Sequence, residues 1–166
     1  PSGWPKTFTN EAGPDVTLET PADRVVCLQP NISEIMAAIG AEDAVVGVDR
    51  YTDYPPAMTK KTTVGDILKP DYEKIVSLRP DVIVTSRGTP MEVIEKLRQL
   101  DQTVLGIDPT SIDEVFAAME MLGQMSGRGQ AALKAVDDLR RRRTRVRETV
   151  QEKLRNTDRP TVVLIL

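Results

Sequence analysis

Short apolar runs and amphipathic stretches alternate along most of this chain. Thr7-Phe8-Thr9 and Val16-Thr17-Leu18 are β-prone, with turn-forming Gly13-Pro14-Asp15 between them, and predict a hairpin. Beyond Pro21, Arg24–Leu28 predicts a short apolar strand. Pro30 and Asn31 lead into a helix, Ser33–Ile39, that stops at Gly40. Val45–Val48 is the next strand. Asp71 caps a short helix, Tyr72–Leu78, and Pro80 ends it. Asp81–Thr85 predicts a buried strand, and Pro90 introduces a helix, Met91–Leu100. Thr103–Ile107 is another strand, and Ser111 with Glu114 forms a capping box ahead of the helix Ile112–Met125.

Alternating strands and helices with short connections predict an α/β fold, a parallel sheet with helices on both faces. Such sheets bind ligands outside the carboxyl ends of their strands. The segments after Leu28, Val48 and Thr85 are therefore the places to look for chemistry.

After Gly129 the pattern changes. Ala131–Arg155 contains no helix breaker, and Leu133, Val136, Leu139, Val146, Val150 and Leu154 recur at helical spacing with a gap at Arg143. One helix of roughly 37 Å follows, long enough to leave a small sheet behind. Asn156 and Pro160 end it, and Thr161–Leu166 begins a new apolar strand. The expected organisation is a lobe over 1–125, a long linking helix over 126–157, and the first strand of a second lobe over 158–166, as in a truncated two-lobe protein.

Composition narrows the chemistry. With no His and a single Cys, zinc ligation and Ser-His-Asp or Cys-His catalysis have no residues to work with. Cys27, inside Val25-Val26-Cys27-Leu28, reads as a buried structural thiol. No run is long enough to cross a bilayer, and Pro1–Asn10 does not read as a signal sequence. The net charge of −3 hides a basic run at Arg140, Arg141, Arg142, Arg143, Arg145 and Arg147. Acidic neighbours and the lack of interleaved aromatic residues favour a solvated helix face over a nucleic-acid site.

The ordered motifs carry a resemblance. They are Arg24-Val25-Val26-Cys27-Leu28-Gln29-Pro30 with Ser33-Glu34-Ile35; Val46-Gly47-Val48 followed by Tyr51-Thr52-Asp53-Tyr54-Pro55-Pro56; Val64-Gly65; Asp71–Val84; and Ser86-Arg87-Gly88. Together these resemble the cobalamin/iron-siderophore group of periplasmic-type substrate-binding proteins of ABC importers, in which one long helix joins two lobes. The resemblance implies that a metal chelate is captured between two lobes and that the protein docks on an ABC transporter permease. It implies a periplasmic or extracellular protein, lipid-anchored in some members, with neither catalysis nor a resident cofactor.

By position, Glu73 matches a permease-docking carboxylate, its alternative being a surface residue paired with Lys74 or Arg79. Tyr51 matches an aromatic that packs on the chelate's ring face, the alternative being a ring folded onto the lobe. Arg87 offers a bidentate contact to an anionic ligand or a salt bridge within the lobe. Ser86 stands where cobalamin binders carry a cleft tryptophan, and Arg50 and Lys69 add charge at the expected rim. These departures pull towards a ferric siderophore. Haem is the alternative within the fold, with Tyr54 as candidate iron ligand. An α/β enzyme and an interaction domain built on the basic helix are the readings outside transport. A chain carrying only one lobe is expected to bind weakly or not at all and to self-associate, by packing of its exposed helix stripe or by pairing of the strand Thr161–Leu166.

Overall fold

The computed structural model describes residues 3–155 and Thr161. A small antiparallel pair opens the chain, β1 (Lys6–Phe8) against β2 (Val16–Leu18), with Phe8 opposite Val16. β3 (Val25–Cys27), β4 (Val45–Val48), β5 (Thr62–Thr63), β6 (Val82–Ser86) and β7 (Val104–Ile107) then form one parallel sheet in the order β5-β4-β3-β6-β7. Its helices are α1 (Pro30–Ala38), α2 (Tyr72–Ser77), α3 (Met91–Gln99), α4 (Ile112–Met125) and α5 (Gly129–Lys153).

The central strands read as unbroken apolar runs because both faces of the sheet are covered. Successive side chains point to opposite faces. Val25, Cys27, Val82, Val84 and Leu105 pack with Ile32 and Met36 of α1, Phe116 and Leu122 of α4, and Val136 of α5. Val26, Ile83 and Val104 pack with Ile75 of α2 and with Val93, Ile94 and Leu97 of α3. The α/β architecture expected from the sequence is the one found, long helix included.

The caps follow sequence chemistry. Asp71 accepts the Lys74 N–H at 3.0 Å and starts α2. Ser111 Oγ accepts the Glu114 N–H at 3.2 Å, but Glu114 reaches back to the N–H and hydroxyl of Thr110, at 2.6 and 2.7 Å. The capping box is thus stretched by one residue. Gly40 holds φ +71 just past α1, a conformation that penalises any Cβ.

Two features had no apolar signal. β5 is two exposed threonines at the sheet edge. At the opposite edge, the segment between β1 and β2 leaves the hairpin and lies along β7. Glu11 N–H donates to Gly106 O at 3.1 Å, and the Asn10 side-chain oxygen accepts the Gly106 N–H at 2.7 Å.

α5 divides into two halves. Its first half lies on α4, where Ala132 and Val136 are buried and Ala132 sits against Gly123. Arg140 pairs with Glu120 and Arg143 with Asp113, and both guanidinium groups lie over the Phe116 ring at 5.7 and 5.2 Å. From Thr144 to Lys153 every residue is exposed, a length of about 15 Å. The strand expected at Thr161–Leu166 lies outside the described residues, Thr161 apart.

Candidate functional site

A parallel sheet brings the carboxyl ends of all its strands to one edge. The loops there begin at Leu28 (after β3), Asp49 (after β4), Val64 (after β5), Arg87 (after β6) and Asp108 (after β7). Among the described residues, and with Val76 of α2 apart, the large apolar side chains left exposed fall into two groups. Leu133, Val146 and Val150 lie on α5, whereas Tyr51, Tyr54, Leu68, Met91 and Ile112 lie in these loops or at the first residue of the following helix. Exposed apolar side chains gathered at one edge of a sheet suit a recognition surface.

Tyr51 follows β4 and is 67% exposed. It is not folded onto the lobe; its backbone N–H is held by the Asp49 carboxylate at 2.6 Å, which fixes the turn from which the exposed ring projects. Asp49 itself is buried, and burial pushes its carboxyl above the ordinary aspartate range, partly offset by the Tyr51 N–H. Thr52 in the same loop bonds Ser33 of α1 at 3.4 Å. Tyr54 is 63% exposed, precedes a cis peptide to Pro55, and its phenol has no hydrogen-bond partner among the described residues.

Arg50 is pinned twice. Its N–H donates to Gly65 O at 2.8 Å, and its Nε meets Asp66 Oδ2 at 3.0 Å. Asp66 Oδ1 also accepts the N–H groups of Leu68 and Lys69, at 2.8 and 2.9 Å. Those N–H groups, with Arg50 adding to them, hold the Asp66 carboxyl below its usual range. Gly65, at φ +88, allows this tight turn, since a Cβ there would collide with the Lys69 carbonyl. The turn leaves Leu68 69% exposed. It also leans across the edge, with Ile67 Cδ1 3.7 Å from where a Gly88 Cβ would be.

Ser86 ends β6 and Arg87 follows it, one strand beyond β3 and so about 10 Å across the sheet from β4. Arg87 grips Asp108, at the end of β7, with Nε to Oδ1 at 2.8 Å and Nη2 to Oδ2 at 2.9 Å. Each partner reinforces the other's charged form, raising the arginine pKa and lowering that of Asp108. Ser86 turns inward, its N–H and hydroxyl both donating to the Gln29 side-chain oxygen at 2.6 Å while Asn31 donates to its Oγ at 3.3 Å. Gln29 closes the network by donating to the Arg87 carbonyl at 2.8 Å. Gln29 and Asp108 have no role in the sequence reading, although both stand directly beyond a strand end, where the topological rule points.

Glu73 is the second residue of α2, just beyond the loop that begins at Val64. It is exposed and in no ion pair among the described residues; Lys74 pairs instead with Asp71, at 3.3 Å. Trp4 packs near Phe8 beside the hairpin, away from the edge. A concavity of about 220 Å³ opens on the outer flank of β7, between Thr9, Ile107 and Met121, and does not extend over β3 or β4. Among the described residues no cluster of His, Cys, Asp or Glu could hold a metal ion, and no helix is long and apolar enough to cross a membrane.

Comparison with known proteins places this geometry. The family described as periplasmic binding protein matches residues 25–166. The Vitamin B12-binding protein of Vibrio cholerae is 35% identical over 123 residues, 74% of this chain and 45% of that protein. An uncharacterized ABC transporter substrate-binding lipoprotein of Bacillus subtilis is 32% identical over 141 residues, 82% of this chain and 45% of its own length. Among solved structures, a periplasmic heme binding protein from Pseudomonas aeruginosa superposes with a TM-score of 0.77 at 25% identity, over 84% of this chain and 50% of that one. The chain spans about half the length of the curated relatives it matches.

Proposed function

This chain belongs to the periplasmic binding protein family, and on that premise we propose that its carboxyl edge is one wall of a cleft that captures a metal chelate for an ABC importer. Residues 1–125 are then one lobe, and α5 is the linking helix that leads to a second lobe, which closes the cleft. The ligand is cobalamin or a ferric siderophore, and the protein works outside the cytoplasmic membrane, periplasmic or extracellular and lipid-anchored in the manner the Bacillus relative's name states. It carries out no catalysis; it binds, docks and releases.

The observation that carries this reading is the Tyr51 ring. A large aromatic is held exposed by a fixed turn at a strand end, with Leu68 on the neighbouring loop. Flat apolar surface of this kind suits a planar macrocycle or a chelate shell. The test is binding of cobalamin, ferric siderophores and haem to the two-lobe protein, followed by visible spectra and calorimetry. Absence of binding at micromolar concentration would sink the proposal.

Glu73 is the proposed docking residue. An exposed carboxylate in no ion pair among the described residues is available to permease arginines, and such rim pairs set register and association rate more than affinity. Glu73→Ala should leave chelate affinity intact and slow uptake through the cognate permease, measured in vesicles or cells; unchanged uptake would remove the role.

Haem is the second reading, favoured by the exposed phenol of Tyr54, which has no hydrogen-bond partner among the described residues, since a tyrosinate can ligate ferric haem iron. Under it, Tyr54→Phe abolishes the ligand-to-metal charge-transfer band of a haem complex.

A further inference from the structure

We infer that this lobe selects an electrically uncharged chelate, with Asp66 and Asp108 as the specificity-determining residues; the inference rests on the transport reading above and narrows its ligand class. The sequence offers two arginines to an anionic ligand at the rim, Arg50 and Arg87. The fold has already committed both to carboxylates of the same lobe.

Both pairs lie at the surface, and each has a specific geometry. Arg87 and Asp108 meet through two parallel hydrogen bonds of 2.8 and 2.9 Å, the geometry in which a guanidinium is best satisfied. The Arg87 carbonyl is held by Gln29 as well, so the backbone under the pair is fixed. Asp66 is locked by the Leu68 and Lys69 N–H groups independently of Arg50, and the Arg50 backbone is tied to Gly65. Asp66 is thus positioned by the chain and not only by its arginine, whereas Asp108 is held by Arg87, whose own backbone Gln29 fixes. Both carboxyls are also held below the ordinary aspartate range, so the pairs stay ionised through neutral and mildly acidic pH.

The consequence for a ligand is electrostatic. A neutralised pair has a dipolar field that falls off fast and does not steer distant anions. An incoming anion would have to exchange one charge-assisted pair for another, with little net gain. It would also strand Asp66 or Asp108 as a like charge beside it, which works against binding. Lys60 and Lys61 stand at the start of β5, at the opposite edge, where Lys61 donates to Glu42 O at 2.8 Å; at the carboxyl edge itself Arg50, Lys69 and Arg87 face Asp49, Asp53, Asp66, Asp71 and Asp108, so no excess of positive charge remains even with buried Asp49 set aside. What the edge does present outward is Tyr51 and Leu68.

The experiment uses the two-lobe protein and four probes: cyanocobalamin, an uncharged ferric trihydroxamate, a trianionic ferric tris-catecholate, and haemin with its two propionates. One uncharged chelate should bind at least about tenfold tighter than either anion, a difference calorimetry reads directly. Asp108→Asn, alone and combined with Asp66→Asn, should raise affinity for the anionic probes about tenfold or more and make it salt-dependent, with little effect on the uncharged ones. Asparagine keeps the Oδ1 acceptor of the Leu68–Lys69 turn, and Asp108→Asn leaves that turn untouched, so folding does not confound the result. An anionic chelate bound tightest by the wild type, or an unchanged anion affinity in both variants, overturns the inference while leaving chelate transport standing. Binding of none of the four removes the transport reading and this inference with it.

Discussion

At the scale of single residues, Asn10 does more than any pattern could announce. Its buried side chain donates to Pro14 O at 2.8 Å and Val104 O at 3.0 Å, and accepts from the N–H groups of Ala12 at 3.0 Å and Gly106 at 2.7 Å. Truncation to alanine strands backbone groups that water reaches poorly. Asn10→Ala should therefore cost about 2–4 kcal/mol, read as a lower urea midpoint at unchanged slope. Nothing around Asn10 in the sequence signals this, because an asparagine in a turn-rich stretch looks like any other. The same holds at the rim. Arg87 was legible as a residue at a strand end, and a salt bridge within the lobe was one of its two options, but the choice between them depends on Asp108, which stands twenty-one positions away and becomes a neighbour only through the β6–β7 pairing.

At the scale of elements, what could be read was what has a period. The strands at Val25, Val45, Val82 and Val104, the capped helices and the long α5 all follow from apolar spacing and terminal chemistry. β5 did not, since Thr62 and Thr63 are both exposed and their pairing is fixed by Gly47 and Val48 across the ladder. Helix contacts were equally out of reach. The basic run on α5 looked like a solvated face, yet Arg140 and Arg143 bridge to α4 and cover Phe116, while Arg141 pairs along its own helix with Asp138. The close seat of Ala132 on Gly123 adds a test of this packing. Gly123→Ala should destabilise by about 1–3 kcal/mol through overpacking, despite alanine's better helix propensity. At this chain length that is a fall of about 2–4 °C per kcal/mol in a thermal melt. Ala132→Gly in the same background should recover part of the loss, and simple additivity of the two changes would show that the contact is slack.

At the scale of the whole molecule, Cys27 serves as a reporter. It lies at the centre of the sheet, fully buried, and burial pushes its thiol up to about 12. Neither thiolate nor access is available in the native state. A thiol reagent at pH 8 should label it only at the rate of global opening and completely in denaturant; fast labelling of the native protein would mean that the β3 region opens locally.

The Asn10–Glu11 segment along β7 has a consequence at this scale too. A sheet with open sides is a template on which further strands can grow, from a neighbouring molecule or from a misfolded copy. Here one side is stoppered by the chain's own Asn10–Glu11 segment, and the other ends in a strand too short to offer a ladder. The lobe is sealed against that growth, so it can display an apolar rim at high local concentration without its sheet recruiting its neighbours into fibrils.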